Sequence, residues 1–268
     1  MFNLLKTDIR RLLKSRSFYI LLAVAAILIL MVSAMAAYIT DPETLDEMSA
    51  QGADVDEHDQ RIAEEIRKMD QLDLAHETLG GGFLLVVTGI GMTLFANGDF
   101  SSGFVKNICC VQPRRVDYVL AKALTAGVYS GIITVLGAAL ILSSPYYYGL
   151  RPQPCAVPDI LGYVVLLWLP HWAFALMALA LVLLTRSTTL GIILSLVAGS
   201  GLTAVLLGTA GRLLSWPPLE GYLLAPVVKG VYLPQTGITQ VGAVLACTVA
   251  WIAVYGLGCL FAMEKKDI

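Results

Sequence analysis

Charged residues are scarce in this chain. Lys, Arg, Asp and Glu together make up 14% of its 268 residues, whereas hydrophobic residues make up 57%. An average soluble domain has about 25% charged residues and about 45–50% apolar ones. The composition therefore excludes an ordinary soluble domain and indicates that lipid surrounds most of the chain.

Catalytic motifs are lacking as well. The sequence contains no G-x-x-x-x-G-K-[ST] loop, no Ser-His-Asp order, no H-E-x-x-H and no paired intramembrane carboxylates. The chain therefore has no phosphate-binding loop with which to hydrolyse ATP. We predict no catalytic residue, no metal site and no cofactor in this chain. The basic residues follow a membrane-leaflet pattern, so we expect no nucleic-acid partner.

Cysteine is rare, and its spacing forms no framework. Cys109 and Cys110 are adjacent, Cys155 stands alone in a predicted outer loop, and Cys247 and Cys259 lie in the last apolar run. This arrangement is typical neither of a metal site nor of a set of disulfides. We interpret the five cysteines as structural.

Long apolar runs fill most of the sequence. A transmembrane helix needs about 20 apolar residues, and its backbone must form its hydrogen bonds internally in lipid. We therefore predict an all-α integral membrane protein with six transmembrane helices in a single domain, residues 1–268. The first run is longer than the core of a signal peptide, so we interpret it as a retained helix. The runs are Phe18–Ile39, Gly81–Asn97, Tyr118–Ser143, Ile160–Thr185, Thr188–Ala210 and Thr239–Met263.

The basic residues predict an orientation, because cytoplasmic flanks of transmembrane helices are enriched in Lys and Arg. Twelve of the eighteen basic residues fall on one side of the six predicted spans. We assign that side to the cytoplasm, which makes both the N- and C-termini cytoplasmic. The twelve are Lys6, Arg10, Arg11, Lys14, Arg16, Lys106, Arg114, Arg115, Lys122, Arg186, Lys265 and Lys266.

The segment 40–80 is acidic and is predicted to be extracellular. Thirteen acidic residues lie between Asp41 and Glu77, against three basic ones. Within Asp54–Leu79 the apolar residues recur at near-helical spacing, which favours a mostly amphipathic helix. A solvated acidic linker is the alternative. As a functional hypothesis, the segment would attract cationic substrates to the outer surface.

Residues 1–17 form a second amphipathic segment. Its apolar side chains are set against Lys6, Arg10, Arg11 and Lys14. A basic amphipathic helix suits the inner membrane surface, where membrane lipid is its partner, and it serves either as a simple anchor or in a further role.

A short pattern of residues follows the second predicted span. Asp99 is followed by Gly103, by a Lys-Asn pair at 106–107, by Arg114 and Arg115, and by Tyr118-x-x-x-Lys122. Together with the basic leader Met1–Tyr19, this pattern resembles the permeases of ABC-2-type exporters, especially the bacitracin-resistance and lantibiotic-immunity branch. The resemblance covers the whole chain, including its helix count and its acidic outer loop, and implies the ABC-2 (type V exporter) fold.

The resemblance also implies partners. The segment 98–117 would be a cytoplasmic coupling segment that contacts a separate ATP-binding cassette subunit, present in two copies that bind ATP and Mg. A second permease, identical or related, would complete the complex. Insertion of Phe100 and Phe104 into lipid headgroups is the alternative to a role in coupling. The coupling residues are Asp99, Phe100, Gly103, Phe104, Lys106, Arg114 and Arg115.

The apolar stretch at 211–238 is interrupted by prolines. Proline removes a helix hydrogen-bond donor, so this stretch cannot be one straight span. The resemblance implies an extracellular re-entrant gate segment here. An interfacial loop with Trp and Tyr anchors is the alternative. The predicted gate residues are Trp216, Pro217, Pro218, Tyr222 and Pro226.

Two further features lie within the predicted spans. His171 is an ionisable residue at membrane depth and is therefore a candidate for the transport pathway, or else a packed histidine bonded to a carbonyl. Gly127 and Gly131 form a small-xxx-small face that permits close helix packing, inside the bundle or at a permease dimer interface.

We therefore predict a permease subunit of an exporter in the bacterial cytoplasmic membrane. An amphipathic or antimicrobial peptide is the leading substrate hypothesis, with sodium, a lipid-linked molecule or a small drug as alternatives. An intramembrane enzyme, such as a protease or a lipid-modifying transferase, and a membrane sensor or assembly protein without transport are the alternative functions.

Overall fold

The computed structural model describes residues 2–41, 43–44, 57–105, 107, 115–149, 152–231 and 238–265. These residues form α-helices, one 3₁₀ turn at Glu220–Tyr222 and an isolated bridge between Asp70 and Gln153, which agrees with the predicted all-α class. The helices are α1 (Phe2–Lys14), α2 (Arg16–Thr40), α3 (Glu57–Lys68), α4 (Gln71–Leu79), α5 (Phe83–Ser101), α6 (Arg115–Tyr148), α7 (Val157–Thr185), α8 (Thr188–Gly199), α9 (Leu202–Leu214), α10 (Leu224–Lys229) and α11 (Ile238–Lys265).

Within the described part of the chain, five helices are long and apolar enough to cross a membrane: α2, α5, α6, α7 and α11. The pair α8 and α9 makes a sixth candidate if it is counted as one broken span. Helix α7 lies at the centre, because it packs against α5, α6, α8, α10 and α11. The chain is therefore a multi-helix bundle of five or six candidate spans.

The fifth predicted span is not straight. The run Thr188–Ala210 is divided into α8 and α9, which meet at an angle of 64°. Ser200 caps α8, and Gly201 takes the left-handed backbone conformation with φ of +80°. The prediction of one continuous helix over this uncharged run was therefore wrong.

The single amphipathic helix predicted over Asp54–Leu79 was also wrong over its described part. Two helices, α3 and α4, form there instead and are separated at Met69 and Asp70. The Asp70 carboxylate accepts a hydrogen bond from the Asp73 backbone nitrogen at 2.7 Å, and the Asp73 side chain caps Asp70 in return. This reciprocal capping begins a new helix at Gln71.

Two other predicted boundaries differ from the helix ends in the structure. Helix α5 continues through Ser101, so Asp99 and Phe100 belong to its last turn and not to a separate coupling element. Near the start of the chain, the predicted segment 1–17 ends as a helix at Lys14, and α2 begins at Arg16.

The start of α5 lies very close to the end of α8. Gly82 has φ of +85°, and a Cβ at this position would overlap the carbonyl oxygen of Gly199. Only glycine accommodates both the left-handed backbone and this approach. Gly82 therefore allows the start of α5 to pack directly against the end of α8.

We expect Gly82→Ala to lower the free energy of unfolding by about 3 kcal/mol, because it adds backbone strain and a clash with a neighbouring main chain. Gly81→Ala is the matched control, since Gly81 is exposed and a Cβ there meets its nearest neighbour at 3.6 Å. Thermal unfolding of both purified variants in detergent measures the difference. Equal stabilities would contradict this account of the junction.

Candidate functional site

One end of the bundle brings α1, the last turn of α5 and the first turns of α6 together. We call it the basic end, because Lys6, Arg10, Arg11 and Lys14 lie there on α1. The opposite end carries α3, α4 and residues 201–231, and we call it the acidic end.

Lys122 is the centre of the basic end. Its side chain is fully buried in α6, and its Nζ lies 2.7 Å from Oδ1 of Asp8 and 2.5 Å from Oδ2 of Asp99. Asp8 belongs to α1 and Asp99 to α5, and both carboxylates are buried. A single ammonium group therefore joins three helices.

Two further side chains complete the environment of Asp99. Arg11 places Nη1 2.8 Å from Oδ1 of Asp99, and the Tyr118 hydroxyl donates a hydrogen bond to Oδ2 at 2.9 Å. Arg11 also lies 3.6 Å from Asp8, one helical turn away on α1. We call Asp8, Arg11, Asp99 and Lys122 the charge cluster.

Aromatic rings cover the two cations of the charge cluster. The Arg11 guanidinium lies 3.8 Å from the centre of the Phe104 ring, and Lys122 Nζ lies 4.6 Å from that of Phe95. Each ring presents the negative face of its quadrupole to a cation. Phe104 thus joins the segment after α5 to α1.

The charge cluster contains two acids and two bases, so it is neutral when all four groups are ionised. Burial raises the pKa of the Asp8 carboxyl, and the neighbouring Lys122 ammonium opposes that shift. A buried charge is tolerated only when it is paired and hydrogen-bonded. Loss of any one member would therefore leave an uncompensated charge inside the bundle.

The predicted coupling residues do not share one environment in the structure. Asp99 is fully buried within this chain, so its carboxylate does not face a surface where a partner could bind it. Phe100 is half-buried against the core and lies beneath the Arg186 guanidinium at 5.7 Å, while Phe104 lies beneath Arg11. Both rings therefore pack against arginines of their own chain.

The other coupling candidates are more peripheral. Gly103 has φ of +69° and open space around it. Arg115 donates a hydrogen bond from Nη1 to the carbonyl oxygen of Met263 at 2.6 Å, which attaches α6 to the last turns of α11. Lys106 and Arg114 lie outside the described residues.

The predicted gate residues lie at the acidic end. Trp216, Pro217 and Pro218 are exposed between α9 and the 3₁₀ turn, and Pro226 is half-buried in α10. The carbonyl oxygen of Tyr222 accepts a hydrogen bond from Trp251 Nε1 of α11 at 2.7 Å. This part of the segment 211–238 therefore folds back against the bundle, while residues 232–237 lie outside the described residues.

His171 and the two glycines of α6 lie inside the bundle. Nδ1 of His171 is 2.7 Å from the carbonyl oxygen of Leu167, and Nε2 is buried without a hydrogen-bond partner in the described part of the chain. Gly127 and Gly131 face the stacked rings of Trp172 and Trp168 on α7. This contact is within one chain.

Sequence reasoning had included Tyr118 and Lys122 in the pattern after the second span but had not listed them as site residues, and it had not listed Asp8 or Trp251. A signal for two of them was present, because Lys122 is a charged residue in a long apolar helix and Asp8 is the one acid of a basic segment. A charge in such a position is a functional candidate. Their pairing across 114 residues is visible only in the folded chain.

The chain matches no family model, no curated protein and no solved structure. Its function must therefore be inferred from its own residues and their arrangement.

We expect Lys122→Met to lower the free energy of unfolding by about 3–5 kcal/mol, because it leaves two buried carboxylates with one cation. Adding Asp8→Leu should recover part of this loss, since Arg11 and Asp99 remain as a neutral pair. Lys68→Met is the control: Lys68 is exposed, pairs with Glu64 at 3.4 Å, and should cost less than about 1 kcal/mol. Denaturant unfolding in detergent measures all three variants. A Lys122→Met variant as stable as the control would overturn the assigned role.

His76 connects elements at the acidic end. Its half-buried ring lies 6.2 Å from that of Tyr163 on α7 and forms a hydrogen bond with the backbone of Lys229 on α10. Burial lowers the pKa of His76 below its ordinary value of 6.5. The folded chain thus binds a proton on His76 less readily than the unfolded chain does.

The part of the stability that depends on His76 should consequently be fully present above pH 6.5 and should be lost as the pH falls below that value, through the range in which only the unfolded chain binds this proton. Thermal unfolding of the wild type and of His76→Gln across this range provides the measurement. The variant should lose this component of the pH dependence. If the two profiles stay parallel, another group is responsible.

Proposed function

We propose that the chain is the membrane-spanning permease subunit of an ATP-binding cassette exporter. A separate subunit binds and hydrolyses ATP at the basic end, and an amphipathic or cationic peptide leaves at the acidic end. The sequence pattern at 99–122 supports this proposal. The observation that carries it is that Phe104 and Val105 fix the segment after α5 to the bundle while its polar side chains stay exposed. Both termini and the basic end face the cytoplasm in this proposal.

In this proposal, residues 101–105 and 107 supply the contact with the partner. Ser101, Ser102 and Asn107 are exposed, whereas Val105 is buried and Phe104 lies beneath Arg11. The exposed polar side chains of this segment are thereby held in place by Phe104 and Val105, which pack against the rest of the chain. This arrangement suits a docking element that must be both accessible and rigid, and the positive φ of Gly103 gives it a tight turn.

Contacts of this segment reach most of the bundle. Phe104 of this segment contacts Arg11 of the charge cluster, which joins α1, α5 and α6. In the adjoining last turn of α5, Phe100 contacts Arg186 at the end of α7. Arg115 extends the connection to α11. A displacement imposed by ATP-driven closure of the partner would therefore move several helices together, since packed interiors transmit strain.

The acidic end supplies the movable part. Helix α9 is joined to α8 at Gly201, whose positive φ permits a change of direction, and α9 is largely exposed. The hydrogen bond from Trp251 to Tyr222 holds the returning chain closed. In the proposed cycle, movement of α8 and α11 separates these groups and opens an outward path for an amphiphile.

A photocrosslinking amino acid placed at position 102 tests the proposal. In membranes of the native host, we expect it to capture a protein that contains a G-x-x-x-x-G-K-[ST] peptide, because Ser102 lies on the exposed surface of the segment. The same amino acid at position 147, where Tyr147 is 73% exposed at the acidic end, is the control and should not capture that protein. Mass spectrometry of the crosslinked bands identifies the partner.

A paired glycine experiment sharpens this test. Gly103→Ala should weaken capture at position 102, because alanine is strained at φ of +69°, whereas Gly98→Ala lies in α5 with equally open space and should not. The proposal would be wrong if no ATP-binding protein is captured at position 102. It would also be wrong if positions 102 and 147 capture such a protein equally.

A further inference from the structure

Helix α1 has three distinct faces. The first packs on the bundle: Asp8 and Leu12 are one helical turn apart and each is 2% exposed. This face includes the charge cluster and attaches α1 to α6. An ordinary amphipathic helix has only two faces, one apolar and one polar, so the remaining surface of α1 needs a separate explanation.

The second face is apolar and is only partly covered by the rest of the chain. Phe2 is 77% exposed and Leu13 is 43% exposed, and half-buried Ile9 lies on the same side of the helix. A spacing of seven and then four residues places these three side chains in one strip. Exposed apolar strips of this kind lie in the boundary between headgroups and acyl chains when a helix rests on a membrane.

The third face is basic. Lys6, Arg10 and Lys14 follow one another at intervals of four residues and are all exposed. With Thr7 and Arg11 they line an open cleft of about 530 Å³. The row lies between the apolar strip and Arg11, so its ammonium and guanidinium groups border the strip that would enter the lipid.

The charge on this third face is uncompensated within α1. Asp8 is the one acidic residue of the helix, and it is buried against the bundle, 2.7 Å from Lys122. Three exposed cations therefore remain in one row with no carboxylate of the same helix facing them. Helix α2 begins at Arg16, two residues after Lys14, which places the row beside the first candidate span.

We propose that α1 binds the phosphate-bearing headgroups of anionic phospholipids in the adjacent leaflet. Lys6, Arg10 and Lys14 contact the headgroup, and Phe2 and Leu13 contact the first carbons of the acyl chains. Each basic residue near an anionic surface contributes about 1 kcal/mol. Arg11 lies in the cleft as well but is engaged by Asp99, so the lipid site borders the charge cluster directly. This inference does not depend on ATP-driven transport.

Native mass spectrometry of the full chain tests it, with phosphatidylglycerol and phosphatidylcholine titrated separately in detergent at low salt. We expect phosphatidylglycerol to be retained preferentially. The triple variant Lys6→Gln, Arg10→Gln and Lys14→Gln should weaken its binding on the order of 100-fold. Arg11 is left unchanged, so the charge cluster stays intact and the variant keeps its fold.

A second triple variant controls for net charge. Arg61→Gln, Lys68→Gln and Arg212→Gln remove the same number of charges from exposed positions away from α1 and should leave binding unchanged. An equal loss in both triple variants, or equal retention of the two lipids, would overturn the proposal. Competition by water-soluble glycerol phosphate as strong as that by the lipid would also overturn it, because the apolar strip would then contribute nothing.

Discussion

The ammonium group of Lys122 is the interaction on which the basic end depends. It lies between the carboxylates of Asp8 and Asp99, and so fixes α1 and α5 to α6 at one point. Without this group, the two carboxylates would share a dry interior with Arg11 alone, which is unfavourable for buried charges of like sign. The position of Phe104, and with it that of the neighbouring exposed residues Ser101 and Ser102, follows from Arg11 being held in place by Asp99.

The two ends of the bundle are built differently. Side chains of opposite charge join α1, α5 and α6 at the basic end, and the helices there are continuous through the cluster. At the acidic end positive φ occurs at Gly82, Gly201 and Ser215, where helices begin or end; at the basic end it occurs at Gly103 and Arg186, outside the charge cluster. Glycine and short capping residues permit such breaks at low cost. Charge pairs between side chains therefore hold the basic end together, whereas helix breaks and caps shape the acidic end.

The sequence predicted five of the six candidate spans as continuous helices, because a membrane would impose the same requirement on each of them: a helix with an apolar surface. It did not predict the break at Gly201, since the run is uncharged on both sides of that residue. The pattern that included Asp99 and Lys122 was noticed, yet the direction of Asp99 was not predictable, because its partners Arg11 and Tyr118 are remote in sequence. Spacing along one helix predicts faces, but not which distant face lies opposite.

Stability alone does not explain why charges are kept at this junction, since well-packed apolar side chains are often as good or better. The way the four charges are divided suggests a reason. Helix α1 carries Asp8 and Arg11, which lie 3.6 Å apart, and the rest of the bundle carries Asp99 and Lys122, which lie 2.5 Å apart. If α1 moves away from α5 and α6, each side retains one acid and one base, so neither is left with an unpaired charge. The junction can therefore be strong when closed and still separate without the full cost of an isolated buried ion.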